Sequence, residues 1–282
     1  MPVASVNGVD LYYEIAGTGF PLVLAHGYCT SMNLWRHQLP LLSQRYQVIA
    51  YDARGHGLSS APAGQEHYTL LHLVEDMYAL LRHLGISQAY IAGHSMGGAT
   101  AAGFAARHPE MTRAALICNI DAGQQPSDPV ADREAAETRR RGLAFVRMRG
   151  LADYARQQIA AKTVPRFILE SEAEQLRFVT RYAHQPLYGY LGVGEALPWR
   201  ESWLTEAAQA LRMPVAIIAG TDDVFHRGAE VLHQRLPQSH FVSIQDAPHD
   251  SMNARPEAFN KGASEYLGTL EQGQPVAGHR VL

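Results

Sequence analysis

Cysteine is scarce in this chain, with only Cys29 and Cys118 in 282 residues. Two cysteines cannot build a disulfide framework, and neither has a partner at a metal-binding spacing. The 14 histidines are scattered, without an H-E-x-x-H or HxxxH pattern, so no zinc site is expected. An excess of one charge is also missing. Twenty-four basic residues stand against 27 acidic ones, a net charge of −3, which argues against a broad cationic surface for nucleic acid. No apolar run approaches the roughly 18 residues of a membrane span. The stretch Met1 to Gly8 lacks the basic and apolar regions of a secretory signal. With 46% hydrophobic and 18% charged residues, the composition is that of a globular protein, expected to be soluble and cytoplasmic. The length allows one large domain or two modest ones.

Short apolar runs alternate with helical patterns. Val3–Val6 and Val9–Ile15 flank Asn7-Gly8, a hairpin signal. Pro21–Ala25 and Tyr46–Tyr51 are almost continuously apolar, as strands buried on both faces are, with a short helix predicted over Leu34–Leu42. From Thr69 to Leu84, Leu70, Leu73, Val74, Met77, Leu80, Leu81 and Leu84 recur at helical spacing, with Thr69 as cap and Gly85 as stop. Strands at 89–92, 114–120, 214–219 and 240–244 then alternate with helices at 97–108, 227–235 and 256–270. This rhythm predicts an α/β fold, a mostly parallel central sheet with helices on both faces.

Residues 124–205 break the rhythm. They carry helix-prone stretches near 130–149, 151–162 and 170–183, without strand signals. The expected division is therefore a core of 1–123 and 206–270, a helical cap of 124–205, and a loose tail of 271–282 containing Gly273, Pro275 and Gly278.

The central chemical signal is Gly93-His94-Ser95-Met96-Gly97-Gly98, a G-x-S-x-G between an apolar strand and an alanine-rich helix. A sharp strand–turn–helix can expose a serine hydroxyl over a helix N-terminus, provided flanking glycines let the backbone pass closely. A serine hydroxyl needs a base to become a nucleophile. His249 follows the last core strand and is the leading candidate; His226 is second, and His94 should point away from its neighbour Ser95. A carboxylate should orient the base. Asp222 and Asp223 directly follow the strand ending at Ala219, and Asp121 follows Ile120. The order Ser95, Asp, His249 is that expected of an α/β-hydrolase.

The chain resembles the α/β-hydrolase superfamily, in particular its small, capped, cofactor-independent esterase/lactonase-like branch. His26-Gly27-Tyr28 resembles the oxyanion loop, and Asp52-Ala53-Arg54-Gly55-His56-Gly57-Leu58-Ser59 matches a D-x-R-G-x-G-x-S signature. Gly93–Gly98 matches the elbow, Gly220-x-x-Asp223 the acid turn, and Pro248-His249 with Arg255–Phe259 the histidine loop and its following helix. The resemblance implies that the acid is Asp223, three positions after Gly220, and that the amides of Tyr28 and Met96 form the oxyanion hole. It also implies no cofactor. The segment Asp52–Ser59 is read as a structural turn. Ala247-Pro248 departs from the usual glycine pair, and the common Glu after the histidine is missing.

These residues together predict a serine hydrolase acting on a small, largely apolar carboxylic ester or lactone. A C–C bond hydrolase of a meta-cleavage-type diketone is an alternative that would use the same groups, and a non-catalytic ligand receptor is another. Dehalogenase or epoxide hydrolase chemistry is disfavoured, because those branches use an aspartate where this chain has Ser95. Cap aromatics Phe145, Phe167, Tyr182, Tyr188, Tyr190, Trp199 and Trp203 are candidates to line the pocket, though most are expected to pack cap helices. Arg139-Arg140-Arg141 is expected to form a solvated face.

Overall fold

A computed structural model describes residues 2–120, 129–196, 210–274 and 276–282. Its nine described strands are β1 (Val3–Val6), β2 (Val9–Ala16), β3 (Phe20–Ala25), β4 (Tyr46–Tyr51), β5 (Ala89–His94), β6 (Thr112–Cys118), β7 (Val215–Gly220), β8 (His240–Ile244) and β9 (Gly278–Val281). They form one sheet in the order β1-β2-β4-β3-β5-β6-β7-β8-β9. The β1–β2 and β2–β4 pairs are antiparallel, and all others are parallel.

The nearly continuous apolarity of the inner strands has a direct structural counterpart. Along β3 and β4, Val23, Ala25, Ile49 and Tyr51 face one helical layer, while Leu22, Leu24, Val48 and Ala50 face the other. The first layer holds α2 (Leu70–His83) and α3 (Met96–Arg107). The second holds Trp35 and the last helix, α11 (Pro256–Glu271). A period of two with both faces apolar buries the last four residues of each of these two strands. Thr69 caps α2 as expected, accepting the His72 N–H, and Gly85 follows with φ +70°.

Two local readings are corrected. The helix expected over Leu34–Leu42 is two short turns, a 3₁₀ turn Met32–Trp35 and α1 (Leu39–Leu42). Pro40 accounts for the break, because its ring would meet the Arg36 carbonyl in a continuous helix and it has no N–H to donate. The tail is not loose: β9 extends the sheet beside β8. Leu282 N–H donates to Ser243 O at 2.9 Å, and the His279 ring stacks on Phe241 with centroids 4.7 Å apart. Its four-residue length beside Pro and Gly left too weak a pattern to read without its partner strand.

Between β6 and β7 lies the helical insert region: α4 (Pro129–Arg149), α5 (Leu151–Ala160), α6 (Arg166–Leu169), α7 (Glu172–Ala183) and α8 (Leu187–Ala196). Both expected borders of the cap fall outside the described residues. Two further α-helices among the described residues are α9 (His226–Arg235) and α10 (Ser251–Ala254). The insert is fastened to the core by polar and close contacts. Arg36 pairs with Glu174 at 3.5 Å, Gly57 N–H donates to Gln185 Oε1 at 3.3 Å, and a Cβ on Gly189 would lie 1.8 Å from Gly55 O. Among the described residues, no helix is long and apolar enough to cross a membrane.

Candidate active site

Ser95 stands between β5 and α3 with φ 53° and ψ −116°, a backbone conformation that a non-glycine residue adopts only when its surroundings enforce it. Its N–H donates to Cys118 O at 2.9 Å, and its carbonyl accepts the Ala99 N–H at 2.9 Å. The neighbouring glycines are required by contact. A Cβ at Gly93 would lie 1.9 Å from Gly97 O, and one at Gly97 would lie 2.2 Å from Ala25 O. Gly93→Ala should therefore destabilise the fold by about 3 kcal/mol or more, since only backbone could move aside. A urea melt of the variant with a wild-type midpoint would contradict this packing.

The loop after β3 crosses beside the serine. A Cβ on Gly27 would sit 3.3 Å from Ser95 Cβ and 2.8 Å from His94 Nδ1, which brings the loop that carries Tyr28 next to Ser95. The Met96 amide opens α3, where the first helical N–H groups have no intrahelical acceptor. Tyr28 is fixed at its other end, its Oη donating to Tyr190 O at 2.7 Å while the rings stack 5.1 Å apart.

The loop after β8 presents His249. Its Nδ1 lies 3.1 and 3.0 Å from Asp223 Oδ1 and Oδ2, and the Asp223 side chain is fully buried. The carboxylate holds both oxygens: Oδ1 accepts the Phe225 N–H at 3.1 Å, and Oδ2 accepts Asn119 Nδ2–H at 2.8 Å. Burial alone would raise the Asp223 pKa, but the hydrogen bond and charge of His249, then Asn119 and Phe225, outweigh it and hold it below the ordinary value. For His249, burial works downward; the Asp223 hydrogen bond and charge, with the charge of Asp250, prevail and raise it above 6.5. With Nδ1 committed to Asp223, Nε2 is the ring nitrogen left for chemistry. Ser95 and His249 line the same cavity. No hydrogen bond joins them among the described residues.

The other candidates differ in their surroundings. Asp222 is exposed, and its N–H donates to Ala247 O at 3.0 Å, which makes it part of the turn. Asp121 lies outside the described residues. His226 sits on α9 with Nε2 3.7 Å from Glu230 and its ring 5.6 Å from Phe241. His94 lines the cavity with Ser95, and its Nε2 lies 2.9 Å from His249 O, so it bonds the backbone of the histidine loop. Burial drives the His94 pKa down to about 4, so the ring is neutral and Nε2 donates. His26 is likewise buried, at about 4, and its Nε2 accepts the Ala53 N–H at 2.9 Å.

The Asp52–Ser59 segment builds a turn. Asp52 accepts the amides of Met32 and Leu58 at 2.8 and 2.9 Å, and Arg54 is paired with buried Asp76 at 2.5 Å. Gly57 adopts φ +52°, and a Cβ there would lie 2.0 Å from Asp52 Oδ2.

The cavity at Ser95 has a volume of about 620 Å³ and is roofed by the insert, with Leu143, Tyr154, Phe178, Tyr182 and Tyr190 among its lining. Tyr182 and Tyr190 are thus among the expected lining residues, whereas Tyr154 and Phe178 join them only through the fold. Phe145 instead packs near Tyr154, Tyr188 is 63% exposed, and Trp199 and Trp203 lie outside the described residues. Phe167 lines an adjoining cavity of about 710 Å³. The two cavities share Thr30, Ile168, Phe178, Arg181 and Asp250. Arg181 from α7 pairs with Asp250 at 3.3 Å and lies over the Phe178 and Tyr182 rings. Burial would raise Asp250, but Arg181 outweighs it and keeps the carboxylate ionised. Of the arginine run, Arg140 and Arg141 pair with Glu137 on the surface as expected, whereas Arg139 lines the Ser95 cavity. Among the described residues, no three His, Cys, Asp or Glu side chains gather in a way that could hold a metal ion.

The arrangement is similar to known proteins over most of the chain. A protein of Azorhizobium caulinodans named for carbamate hydrolysis, RutD, is 30% identical over 284 residues, 96% of this chain and 100% of its own. The 3-oxoadipate enol-lactonase 2 of Acinetobacter baylyi is 31% identical over 241 residues, 85% of each chain. The structure of a thermophilic esterase from Thermogutta terrifontis superposes with a TM-score of 0.82 at 26% identity, covering 95% of this chain and 98% of that one. A model of the alpha/beta hydrolase fold family matches residues 21–253, and this chain belongs to that family as a hydrolase.

Proposed function

We propose that the protein is a serine hydrolase of a small, largely apolar carboxylic ester or lactone, with Ser95 as nucleophile, His249 as base and Asp223 as orienting acid. The observation that carries this reading is the Asp223–His249 pair, presented at the same cavity as the strained Ser95. We further assign residues 124–205 as the cap over a core of 1–123 and 206–270. The mostly apolar aromatic roof is what supports a small apolar acyl or alcohol group.

In the proposed cycle, Ser95 Oγ attacks the carbonyl carbon as its proton passes to His249 Nε2. The Tyr28 and Met96 amides donate to the resulting oxyanion. The proton then moves from Nε2 to the departing alkoxide as the ester C–O bond breaks, leaving an acyl-enzyme. Water, deprotonated at Nε2, attacks the acyl carbon, and collapse returns the proton to Ser95 and frees the acid. A carbamate would fit the same steps, as would C–C cleavage of a diketone with a carbanion leaving group. Turnover of 4-nitrophenyl butyrate, a lactone, an aryl carbamate and a meta-cleavage diketone tests the reading. Faster turnover of the carbamate or diketone than of every ester and lactone would overturn the substrate class, and turnover of none would favour a receptor.

The base assignment has a pH consequence. His249 must be neutral to accept the serine proton, and its raised pKa means that activity is lost as pH falls through a value above 6.5. The ascending limb of kcat/KM against pH should therefore lie above pH 6.5. His249→Gln should be nearly inactive, while His226→Gln retains wild-type turnover. An ascending limb well below 6.5, or the reverse ranking of the two variants, would remove His249 as base.

A further inference from the structure

We propose that Asn119 and Ser251 form a positioning relay behind the Asp223–His249 pair, in which Ser251 fixes the Asn119 amide and the amide fixes the carboxylate against the imidazole. The inference rests on the assignment of His249 as the base. Asn119 is completely buried just past β6 with φ 52°, a left-handed conformation that asparagine tolerates better than most residues. Its N–H donates to Ile218 O at 2.8 Å, tying it to β7, the strand that leads into the Asp223 turn. Ser251 is also completely buried, at the start of α10 and two residues beyond His249. The relay therefore joins three segments distant in sequence.

The polarity of the relay is fixed by the chemistry of its ends. An ionised carboxylate only accepts, so the NH₂ end of the Asn119 amide must face Asp223 Oδ2, at 2.8 Å. The carbonyl end then accepts the Ser251 hydroxyl, also at 2.8 Å. Turning the amide over would set an oxygen against the carboxylate. Because the Phe225 N–H holds Oδ1, each carboxylate oxygen has one neutral donor besides the ring. The plane is thereby held with both oxygens almost equally distant from His249 Nδ1, at 3.1 and 3.0 Å. Without the Asn119 donor, the carboxylate can turn one oxygen into the ring and place more of its charge there, which favours the imidazolium. The other charged or titratable groups facing His249 are Asp250 beside it in the loop, His94 from the elbow and Arg181 from α7. None of these changes in the variants below.

The test uses the full-length protein with ¹⁵N-labelled histidine, the His249 resonance being identified by its loss in His249→Gln. Glycine at 119 keeps the left-handed backbone while removing the donor. In Asn119→Gly the His249 titration midpoint should move upward by roughly 0.5–1 pH unit. kcat on 4-nitrophenyl butyrate should fall about 10- to 100-fold at pH 7 with KM little changed. Ser251→Ala should shift both readings the same way but less, and the double variant should be no worse than Asn119→Gly. A merely structural role would move stability without moving the titration. An unchanged His249 titration in folded Asn119→Gly would overturn the relay, as would a double variant in which the two effects add in full. If Asn119→Gly does not fold, Ser251→Ala decides alone, an unchanged titration refuting the relay. Absence of ester turnover in the wild type would count against the proposed function only, and the titration would still decide the role of Asn119.

Discussion

Ser95→Ala is expected to lower ester turnover by roughly 10⁶-fold, to the limit of detection, while leaving the protein folded. The hydroxyl is the only atom removed, and Ser95 is not part of a packed core: its side chain faces the cavity, and its backbone hydrogen bonds to Cys118 and Ala99 do not involve Oγ. Alanine bears the same backbone strain as serine at φ 53°, so the denaturation midpoint should change little. A phosphonate directed at nucleophilic serines should label the wild type at Ser95 and leave the variant unlabelled. A folded Ser95→Ala protein with more than a few per cent of wild-type turnover would remove the nucleophile and the acyl-enzyme with it.

Asp223→Asn should have the next largest effect, a fall in kcat of about 10⁴-fold, the scale of the same exchange in a serine-protease triad. The reason lies in the donors around the side chain. An amide at 223 would offer its NH₂ to His249 Nδ1, which moves the ring proton to Nε2 and leaves no lone pair for the Ser95 proton. It also has one oxygen where two are needed, because Asn119 and the Phe225 N–H each donate to a separate carboxylate oxygen. One buried donor would be left facing another, at a cost to stability of about 1–3 kcal/mol. Asp222→Asn, on the exposed side of the turn, should keep nearly full turnover and stability. Parallel kinetics and urea melts of the two variants check both statements. Normal turnover by Asp223→Asn, with collapse in Asp222→Asn or Asp121→Asn, would reassign the acid.

Most of the scaffold was legible in the sequence because its signals are local or strictly periodic. Apolar runs buried on both faces identify inner strands wherever they pair, and Thr69 and Gly85 bound α2 by capping chemistry that acts within one turn. The serine elbow was legible for the same reason, since the strand, the small flanking residues and the helix that strain Ser95 are adjacent in the chain. The preference for Asp223 over Asp222 rested on the family resemblance, in which the acid lies three positions after the glycine, since the residues themselves left both open. The fold buries the Asp223 carboxylate against His249 and exposes Asp222.

What the tertiary structure decided was contact between segments that carry no mutual signal. Asn119 and Ser251 are ordinary polar residues in sequence, and only the juxtaposition of the β6 end with the histidine loop makes them neighbours of the acid. His94 bonds the His249 backbone for the same reason, and Arg139 reaches the cavity because α4 crosses it, although its neighbours Arg140 and Arg141 remain on the surface. The C-terminal strand acquires its structure only by adding to β8, which supplies the hydrogen bonds that four residues cannot make among themselves. Local preference and periodicity thus determined the sheet, its covering helices and the strained turn at Ser95. Long-range packing determined the partners of Asp223 and the lining of the cavity, because a buried polar group finds its partner through the fold and not through the order of the chain.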